Sequence, residues 1–294
     1  MKERSFDGRL RRAARAVYLA ALGHVAASHR AIPSEQPAIV FAPHPDDETL
    51  GCGGTIAVKR RRGAEVTIVY MTDGAAAYGE SADHERLTTI RHSEALEAAQ
   101  VLGVRARDLI FLGYPDGRLG DFREQAAARV QTIIDTRRPR EIFVSYGRDG
   151  HPDHEATSAI VHAALRSCTT RFEPLVYEYP VWFLHHWPLV DAPFNGRVPL
   201  LSTLRWSGDR AARILREFQA SSYVGAVLDV KRSALERHRS QVAGPSSNPK
   251  WRSLADLSNG EFLELFLGDY ELFHRADRPR GGVVGSSLLE RGRR

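Results

Sequence analysis

Residues 38–48 read AIVFAPHPDDE, and this stretch decides how the rest of the chain is interpreted. The first five residues are apolar and include β-branched and aromatic side chains, which predicts a short buried strand. Pro43 and Pro45 exclude a helix directly after that strand. One imidazole and three carboxylates therefore gather at the carboxyl end of a buried strand. Ligands bind at this end of the strands in open parallel α/β sheets, so we expect the functional site here.

The apolar pattern recurs downstream and alternates with helical periodicity. Further strands are predicted at 65–71, 109–112, 141–145 and 175–179. Helices are predicted between them, at 55–62, 84–102, 122–136 and 155–166. This alternation predicts an α/β fold, a Rossmann-like three-layer sandwich with a mostly parallel sheet. The pattern loosens after residue 180, which predicts a less regular C-terminal lobe.

The positive charge is concentrated at the two ends of the chain. The net charge is +5, and since residues 1–30 and 275–294 are strongly basic, the middle is mildly acidic. We expect a basic N-terminal helix and linker over 1–36, a catalytic domain over 37–275, and an Arg-rich disordered tail over 276–294. The acidic middle argues against a nucleic-acid partner. The N-terminal helix either packs across the domain or makes peripheral contact with a membrane.

Cysteine content and hydropathy bear on the location of the protein. Cys52 and Cys168 are the only cysteines and lie far apart, so no disulfide framework is indicated and a cytoplasmic location is expected. No stretch approaches the roughly 18 apolar residues of a membrane span, and no secretory signal is evident. The sequence carries no signal for an oligomeric state.

A second motif, HPDH at 151–154, follows the predicted strand at 141–145. The ends of two parallel strands can be neighbours in a doubly wound sheet, so the two motifs together offer His44, Asp47 and His154 as metal ligands. Two imidazoles and one carboxylate leave a coordination position of zinc open for water. We therefore expect one Zn²⁺ per chain, although nitrogen and oxygen ligands also bind other divalent metals.

The remaining polar residues of the two motifs suggest acid–base chemistry. Asp46 points away from its neighbour Asp47 and is the natural general base for a metal-activated water. His151 can stabilise an oxyanion or pass a proton to a leaving amine, and Asp153 can orient its imidazole. These groups predict a hydrolase for an amide or an ester.

The two motifs together resemble those of the PIG-L/LmbE-like zinc-dependent de-N-acetylase family. The resemblance covers residues 38–180 and extends more loosely through 231–241, a helix that ends in Ser-Gln. It implies removal of an acetyl group from an N-acetylglucosaminyl or related amino-sugar substrate. It also implies that His44, Asp47 and His154 are zinc ligands and that Asp46 is the general base. It implies further that His151 stabilises the tetrahedral intermediate, with the acid Asp153 behind it.

The resemblance implies two substrate-binding residues. Arg91, in an Arg-x-x-Glu sequence, matches an arginine that binds polar substrate groups, and the alternative is a surface helix pair with Glu94. Asp116 matches an acceptor for a sugar hydroxyl, and the alternative is an ordinary Pro-Asp-Gly turn. Some family members carry a tyrosine just before the second motif, where this chain has Asp149 and Gly150.

Other features keep alternatives open. His185 and His186 could bind substrate or a second metal, but a surface loop is the simpler interpretation. Glu48 is expected to brace the following helix instead of binding metal. The alternative functions are an amidase or esterase acting on another small N-acyl compound, and a catalytically silent binding protein that docks to a membrane or polyanion through its basic ends.

Overall fold

A computed structural model describes residues 8–78, 83–168, 173–191, 200–243 and 253–276 of the chain. Eight strands form one sheet in the order β1-β7-β8-β6-β5-β2-β3-β4. All neighbouring strands are parallel except β8, which runs antiparallel to β6 and β7. The strands are β1 (Arg30–Ala31), β2 (Ala38–Ala42), β3 (Val66–Thr72), β4 (Leu109–Tyr114), β5 (Glu141–Ser145), β6 (Leu175–Tyr179), β7 (Ala220–Tyr223) and β8 (Tyr270–Arg275). The predicted α/β fold with a mostly parallel sheet is confirmed.

Helices cover both faces of the sheet and produce the three layers. The helices are α1 (Gly8–Ser28), α2 (Asp47–Arg61), α3 (His84–Val101), α4 (Arg123–Arg137), α5 (Pro152–Ser167), α6 (Leu200–Glu217), α7 (Leu228–Leu235), α8 (Arg239–Val242) and α9 (Glu261–Glu264). Helices α2, α3 and α7 pack on one face against residues such as Val40, and α4 and α5 pack on the other against residues such as Phe41. Because adjacent strand residues point to opposite faces, a strand buried on both sides must be apolar throughout, as β2 is.

Local signals explain where several helices begin and end. The Asp83 side chain accepts the N–H of Arg86 and caps α3, and the chain after α3 turns at Gly103, whose φ is +83°. Helix α5 begins with Pro152, whose missing N–H costs nothing in the first turn. Helix α2 begins earlier than predicted, at Asp47, so the second half of the first motif is the first turn of a helix.

The chain after residue 180 is more closely tied to the sheet than predicted. Strands β7 and β8, which the sequence pattern did not reveal, extend the same sheet beyond β6. The helix at 231–241 that the resemblance includes is two helices, α7 and α8. Residues 277–294 of the predicted disordered tail lie outside the described residues.

Helix α1 packs across the domain, and its arginines make ion pairs with the C-terminal part of the chain. Arg11 is buried and pairs with Glu261 at 2.7 Å, and Arg15 pairs with Glu264 at 3.0 Å, while Val17 on the outer face is 73% exposed. The first of the two alternatives, a helix that packs across the domain, is therefore what the structure shows, and membrane contact stays a prediction. Within the described residues, no helix is both long enough and apolar enough to cross a membrane.

Candidate metal centre

The two motifs lie side by side because β2 and β5 are adjacent parallel strands. Residues 43–48 follow the carboxyl end of β2, and residues 151–154 lie at the beginning of α5, just beyond the end of β5. Both motifs therefore leave the sheet at the same edge, as predicted from the sequence.

The three predicted metal ligands converge on one carboxylate oxygen. Oδ2 of Asp47 lies 3.0 Å from Nδ1 of His44 and 3.2 Å from Nε2 of His154. All three residues are buried. His151 joins the cluster, because a ring nitrogen from each of the three histidines lies within 4.8 Å of the others. Two imidazoles and a carboxylate at these separations fit a divalent metal, whose bonds to nitrogen and oxygen are about 2 Å long.

Asp149, which the sequence analysis treated only as part of a turn, holds His154 from behind. Its Oδ2 lies 2.8 Å from Nδ1 of His154, and Asp149 is fully buried. The same carboxylate accepts the N–H groups of Val181, Trp182 and Phe183, each at 2.9 Å. A carboxylate on the outer nitrogen of a histidine fixes the tautomer that presents the other nitrogen to a metal. Asp149 therefore links the metal centre to the 181–183 segment.

His44 is oriented in a similar way by two acids. Its Nε2 lies 3.0 Å from Oδ1 of Asp116 and 3.3 Å from Oδ2 of Asp153. Burial raises the pKa of Asp116, but the hydrogen bond with His44, the charges of His44 and Arg91, and the hydrogen bond from the N–H of Ala76 together lower it below its usual value. Asp153 also accepts the N–H groups of Gly117 and Leu119, at 2.6 and 3.1 Å. Because the hydrogen bonds of Asp153 are made with His44 and with the main chain at 117–119, its predicted action on His151 stays a prediction.

Asp46 lies beside the three ligands and has the character of a base. Burial raises the pKa of Asp46 to about 6, although the Arg91 guanidinium, 3.3 Å from Oδ2, opposes this shift. A carboxyl group with a pKa near neutrality is suited to accept a proton from water. Its role as the general base stays a prediction.

Arg91 is a buried brace between loops. Its guanidinium donates to the carbonyl oxygens of Gly74 at 2.7 Å and Pro45 at 2.8 Å. Glu94, one turn further along α3, accepts the N–H and the hydroxyl of Ser240 at 2.9 and 2.6 Å. Both side chains are buried, so the alternative of a surface pair is wrong. A substrate role for Arg91 stays a prediction.

His151 borders the centre without a direct ion pair. Its ring meets that of His44 edge-on, with centroids 5.0 Å apart, and stacks beside Trp182 at 6.3 Å. Burial lowers the pKa of His151, and the neighbouring His44 adds to the effect. Since its Nδ1 is buried and has no hydrogen-bond partner among the described residues, this imidazole has a free polar atom.

The other histidine pair lies elsewhere. His186 is fully buried, its Nδ1 lies 2.8 Å from the carbonyl oxygen of Trp187, and its ring packs against Tyr18. His185 packs against Phe262. The surface-loop interpretation is therefore wrong for His186, and within the described part of the chain neither histidine joins a group of potential metal ligands.

A cavity of about 340 Å³ opens over the metal centre. Its lining includes polar residues of both motifs together with Arg91 and Asp116. It also includes the apolar residues Leu50, Val181 and Trp182, and the C-terminal part contributes Gln241, Ser253, Leu254 and Leu257. The cavity size falls within the range of about 300–1,000 Å³ that small-molecule sites occupy.

An α/β sandwich that gathers two histidines and an aspartate at the carboxyl edge of its sheet, beside a second aspartate, has the arrangement of a metal-dependent hydrolase. Residues 39–165 match the family described as PIG-L: GlcNAc-PI de-N-acetylase. Residues 39–165 are therefore similar to the PIG-L deacetylase family, and the resemblance drawn from the two motifs is confirmed.

Two relatives of the chain are named as deacetylases. The chain is 32% identical over 49% of its length to a probable N-acetyl-alpha-D-glucosaminyl L-malate deacetylase 2 of Bacillus anthracis, of which the match spans 66%. It is 36% identical over 44% of its length to a 1D-myo-inositol 2-acetamido-2-deoxy-alpha-D-glucopyranoside deacetylase of Mycobacterium sp. (strain KMS), of which the match spans 50%. The chain thus spans between half and just under two thirds of these relatives.

A solved structure shares the fold. The conserved protein TT1542 of Thermus thermophilus superimposes with a TM-score of 0.52 and 26% identity, over 83% of this chain and 96% of that protein. The similarity therefore extends well beyond residues 39–165 and includes much of the C-terminal part.

Proposed function

We propose that the chain is a metal-dependent hydrolase that removes the N-acetyl group from an amino-sugar conjugate, such as an N-acetylglucosaminyl compound. The observation that carries the proposal is the position of Asp46, a carboxyl group with a pKa of about 6 that lines the same cavity as His44 and Asp47. The names of the Bacillus and Mycobacterium relatives support an N-acetylglucosaminyl substrate linked to a small polar molecule.

The metal is proposed to be one Zn²⁺ per chain. His44, Asp47 and His154 would hold it, since two imidazoles and one carboxylate suit zinc and leave room for water. A metal bound there supplies a Lewis acid that polarises the acetyl carbonyl and makes a water molecule acidic at neutral pH. Asp149 and the pair Asp116 and Asp153 fix the outer nitrogens of the two histidines.

The chain's own residues would then move protons and stabilise charge. Asp46 accepts the proton of the attacking water and is placed to return it to the departing amine. His151, on the neighbouring wall of the cavity, stabilises the negative charge that develops on the acyl oxygen or hands a proton to the amine. Burial and the neighbouring His44 and His154 lower the pKa of His151, and the negative charges of Asp47 and Asp153 oppose this shift only in part.

Two further residues are proposed to contact the sugar. Asp116 and Arg91 line the cavity, where hydroxyl groups of the substrate would meet them. Trp182 lines the same cavity, and its ring offers an apolar surface to a sugar face. A cytoplasmic location and membrane contact through α1 remain predictions from the sequence.

The proposal is tested by metal analysis and by measurement of acetate release. The purified protein, with and without prior chelation, is incubated with N-acetylglucosamine linked to malate, N-acetylglucosamine linked to inositol, and simple N-acyl amides and esters. Metal-dependent release of acetate from a sugar conjugate supports the proposal. Hydrolysis of only the simple compounds would favour a general amidase or esterase. A metal-free native protein that hydrolyses nothing would indicate a binding protein on the same fold.

A further inference from the structure

A buried carboxylate lies directly beneath the proposed base. Glu48 is completely buried, and its Oε2 accepts the main-chain N–H of Asp46 at 3.1 Å. Its Oε1 accepts the hydroxyl of Thr49 at 2.7 Å and lies 3.2 Å from Nε2 of His238, which also lies 3.1 Å from the Thr49 hydroxyl oxygen. His238 is also completely buried, and it comes from the turn between α7 and α8, almost two hundred residues along the chain. The three donors occupy both oxygens of Glu48.

The main chain of Asp46 needs this support. Its φ is +156° with ψ at −27°, a conformation that L-residues rarely adopt. Such a residue is strained and persists only where its surroundings hold it in place. Here the N–H is held by Glu48, and the preceding carbonyl, of Pro45, is held by Arg91 at 2.8 Å. The direction of the Asp46 carboxylate therefore depends on contacts made by its main chain.

His238 is fixed independently of Glu48. Ser240, two residues later, is bound through its N–H and its hydroxyl by the carboxylate of Glu94. Helix α8 is thereby docked on α3, and His238 is presented to Glu48 from a fixed backbone. A histidine that merely filled space would not need to aim Nε2 at a carboxylate, because burial without a partner favours apolar side chains.

We propose that His238 is a positioning residue for hydrolysis, acting through Glu48 on the main chain of Asp46. By donating to Oε1 and to the Thr49 hydroxyl that itself donates to Oε1, His238 fixes the carboxylate whose other oxygen holds the N–H of Asp46. The Asp46 side chain is thereby kept in the direction from which it reaches the attacking water. This inference rests on the proposed function only where it concerns turnover, since the effect on the Asp46 main chain can be observed directly.

The kinetic test compares two substitutions. His238→Leu removes the hydrogen-bond donor and fills its place with an apolar side chain. His238→Gln instead places an amide N–H near the position of Nε2. We expect His238→Leu to lower kcat by about 10²-fold, the cost of misplacing a reacting group by about 1 Å, with KM and bound metal unchanged. His238→Gln is expected to recover most of that loss. Equal losses in both variants, or unchanged kcat in His238→Leu, would overturn the proposal.

Controls separate positioning from general destabilisation. His162→Leu removes a comparable contact, with Oε1 of Glu178 at 2.8 Å, on the opposite face of the sheet and is expected to leave kcat unchanged. If His238→Leu does not fold, His238→Asn takes its place, since the shorter amide does not reach Glu48. A kcat that falls as far in His162→Leu as in His238→Leu would refute a specific role.

A structural readout distinguishes this inference from the proposed function. Crystal structures of the parent and of His238→Leu would give the φ of Asp46 and the distance from its N–H to Glu48. We expect the variant to lose this hydrogen bond and Asp46 to leave its positive φ. An unchanged Asp46 would refute the inference whatever the substrate is. A shifted Asp46 in a protein that releases no acetate would support the inference and count against the proposed function alone.

Discussion

Asp149→Asn is expected to weaken metal binding although it changes none of the proposed ligands. Oδ2 of Asp149 lies against Nδ1 of His154 and accepts the N–H of Trp182, while Oδ1 accepts the N–H groups of Val181 and Phe183. Asparagine keeps one acceptor oxygen and replaces the other with an NH₂ group, which only donates. Whichever way the amide is turned, the NH₂ group faces two donors that the carboxylate oxygen satisfied.

The size of the effect follows from the two orientations. If the NH₂ group faces His154, Nδ1 of the ring must accept a hydrogen bond from it, and the ring proton is then on Nε2, the atom beside Asp47. A protonated Nε2 cannot bind a metal. Loss of such a partner lowers metal affinity about 10–100-fold, or about 1.4–2.8 kcal/mol. If the NH₂ group instead faces Val181 and Phe183, two buried N–H groups lose their acceptor, at about 1–3 kcal/mol each in the free energy of unfolding.

Two measurements on the same protein distinguish these outcomes. Competition with a chelator of known affinity gives the zinc dissociation constant, and chemical denaturation without metal gives the free energy of unfolding. Asp121→Asn is the matched control, because Asp121 is exposed and pairs with the exposed Arg118, at 2.9 Å. Parental values for both quantities in Asp149→Asn would refute the reasoning, since no orientation of the amide satisfies all four donors.

Further substitutions test the base and the packing beneath the motif. Asp46→Asn is expected to keep its bound metal and to lose about 10²–10⁴-fold in turnover, measured by acetate release; full activity would show that Asp46 is not the base. Lys231→Met leaves Glu271 buried without its cation. We expect denaturation to show a loss of about 3–5 kcal/mol in the free energy of unfolding. Adding Glu271→Gln to this variant is expected to restore part of the loss. Gly51→Ala places a Cβ 2.1 Å from a buried tyrosine ring, and we expect a loss of about 1–3 kcal/mol. Gly23→Ala, whose Cβ meets nothing within 4 Å, is its control.

The strands of the central sheet were predictable because each is buried on both faces. The predicted strands at 38–42, 141–145 and 175–179 coincide with β2, β5 and β6. A strand between two helical layers must be apolar at nearly every position, so it appears as a continuous run in the sequence. Because β2 and β5 could be located in this way, the motifs that follow them could be placed at one edge of the sheet.

The outer strands escaped prediction because their buried faces carry polar groups. Strand β8 reads YELFHR, and its acid Glu271 is buried. Strand β7 reads ASSY, in which Ser221 and Ser222 are buried. A buried acid or serine resembles a surface residue in a sequence, since only the fold supplies its partner. Asp149 was missed in the same way, because an acid between glycines is typical of a turn.

Glu271 shows what this polar strand contributes. Helix α2 is kinked at Cys52, whose φ and ψ of −146° and 20° interrupt the helix and free the amides that follow. Glu271 accepts the N–H of Gly54 through Oε1 and that of Thr55 through Oε2, both at 2.7 Å. A carboxylate at this place acts as a cap for the second half of the helix and interacts favourably with its dipole. Strand β8 thus holds the helix whose first turn carries Asp47.

This dependence has a consequence for the family-matched segment, residues 39–165. The segment contains both motifs and all three proposed ligands, but Glu271 and its partner Lys231, 2.7 Å away, lie outside it. His238, which contacts Glu48, lies outside it as well. A fragment limited to the segment would leave the amides at the kink of α2 without their acceptor and Glu48 without one of its donors. The C-terminal part therefore supplies contacts on which the segment that carries the proposed ligands depends.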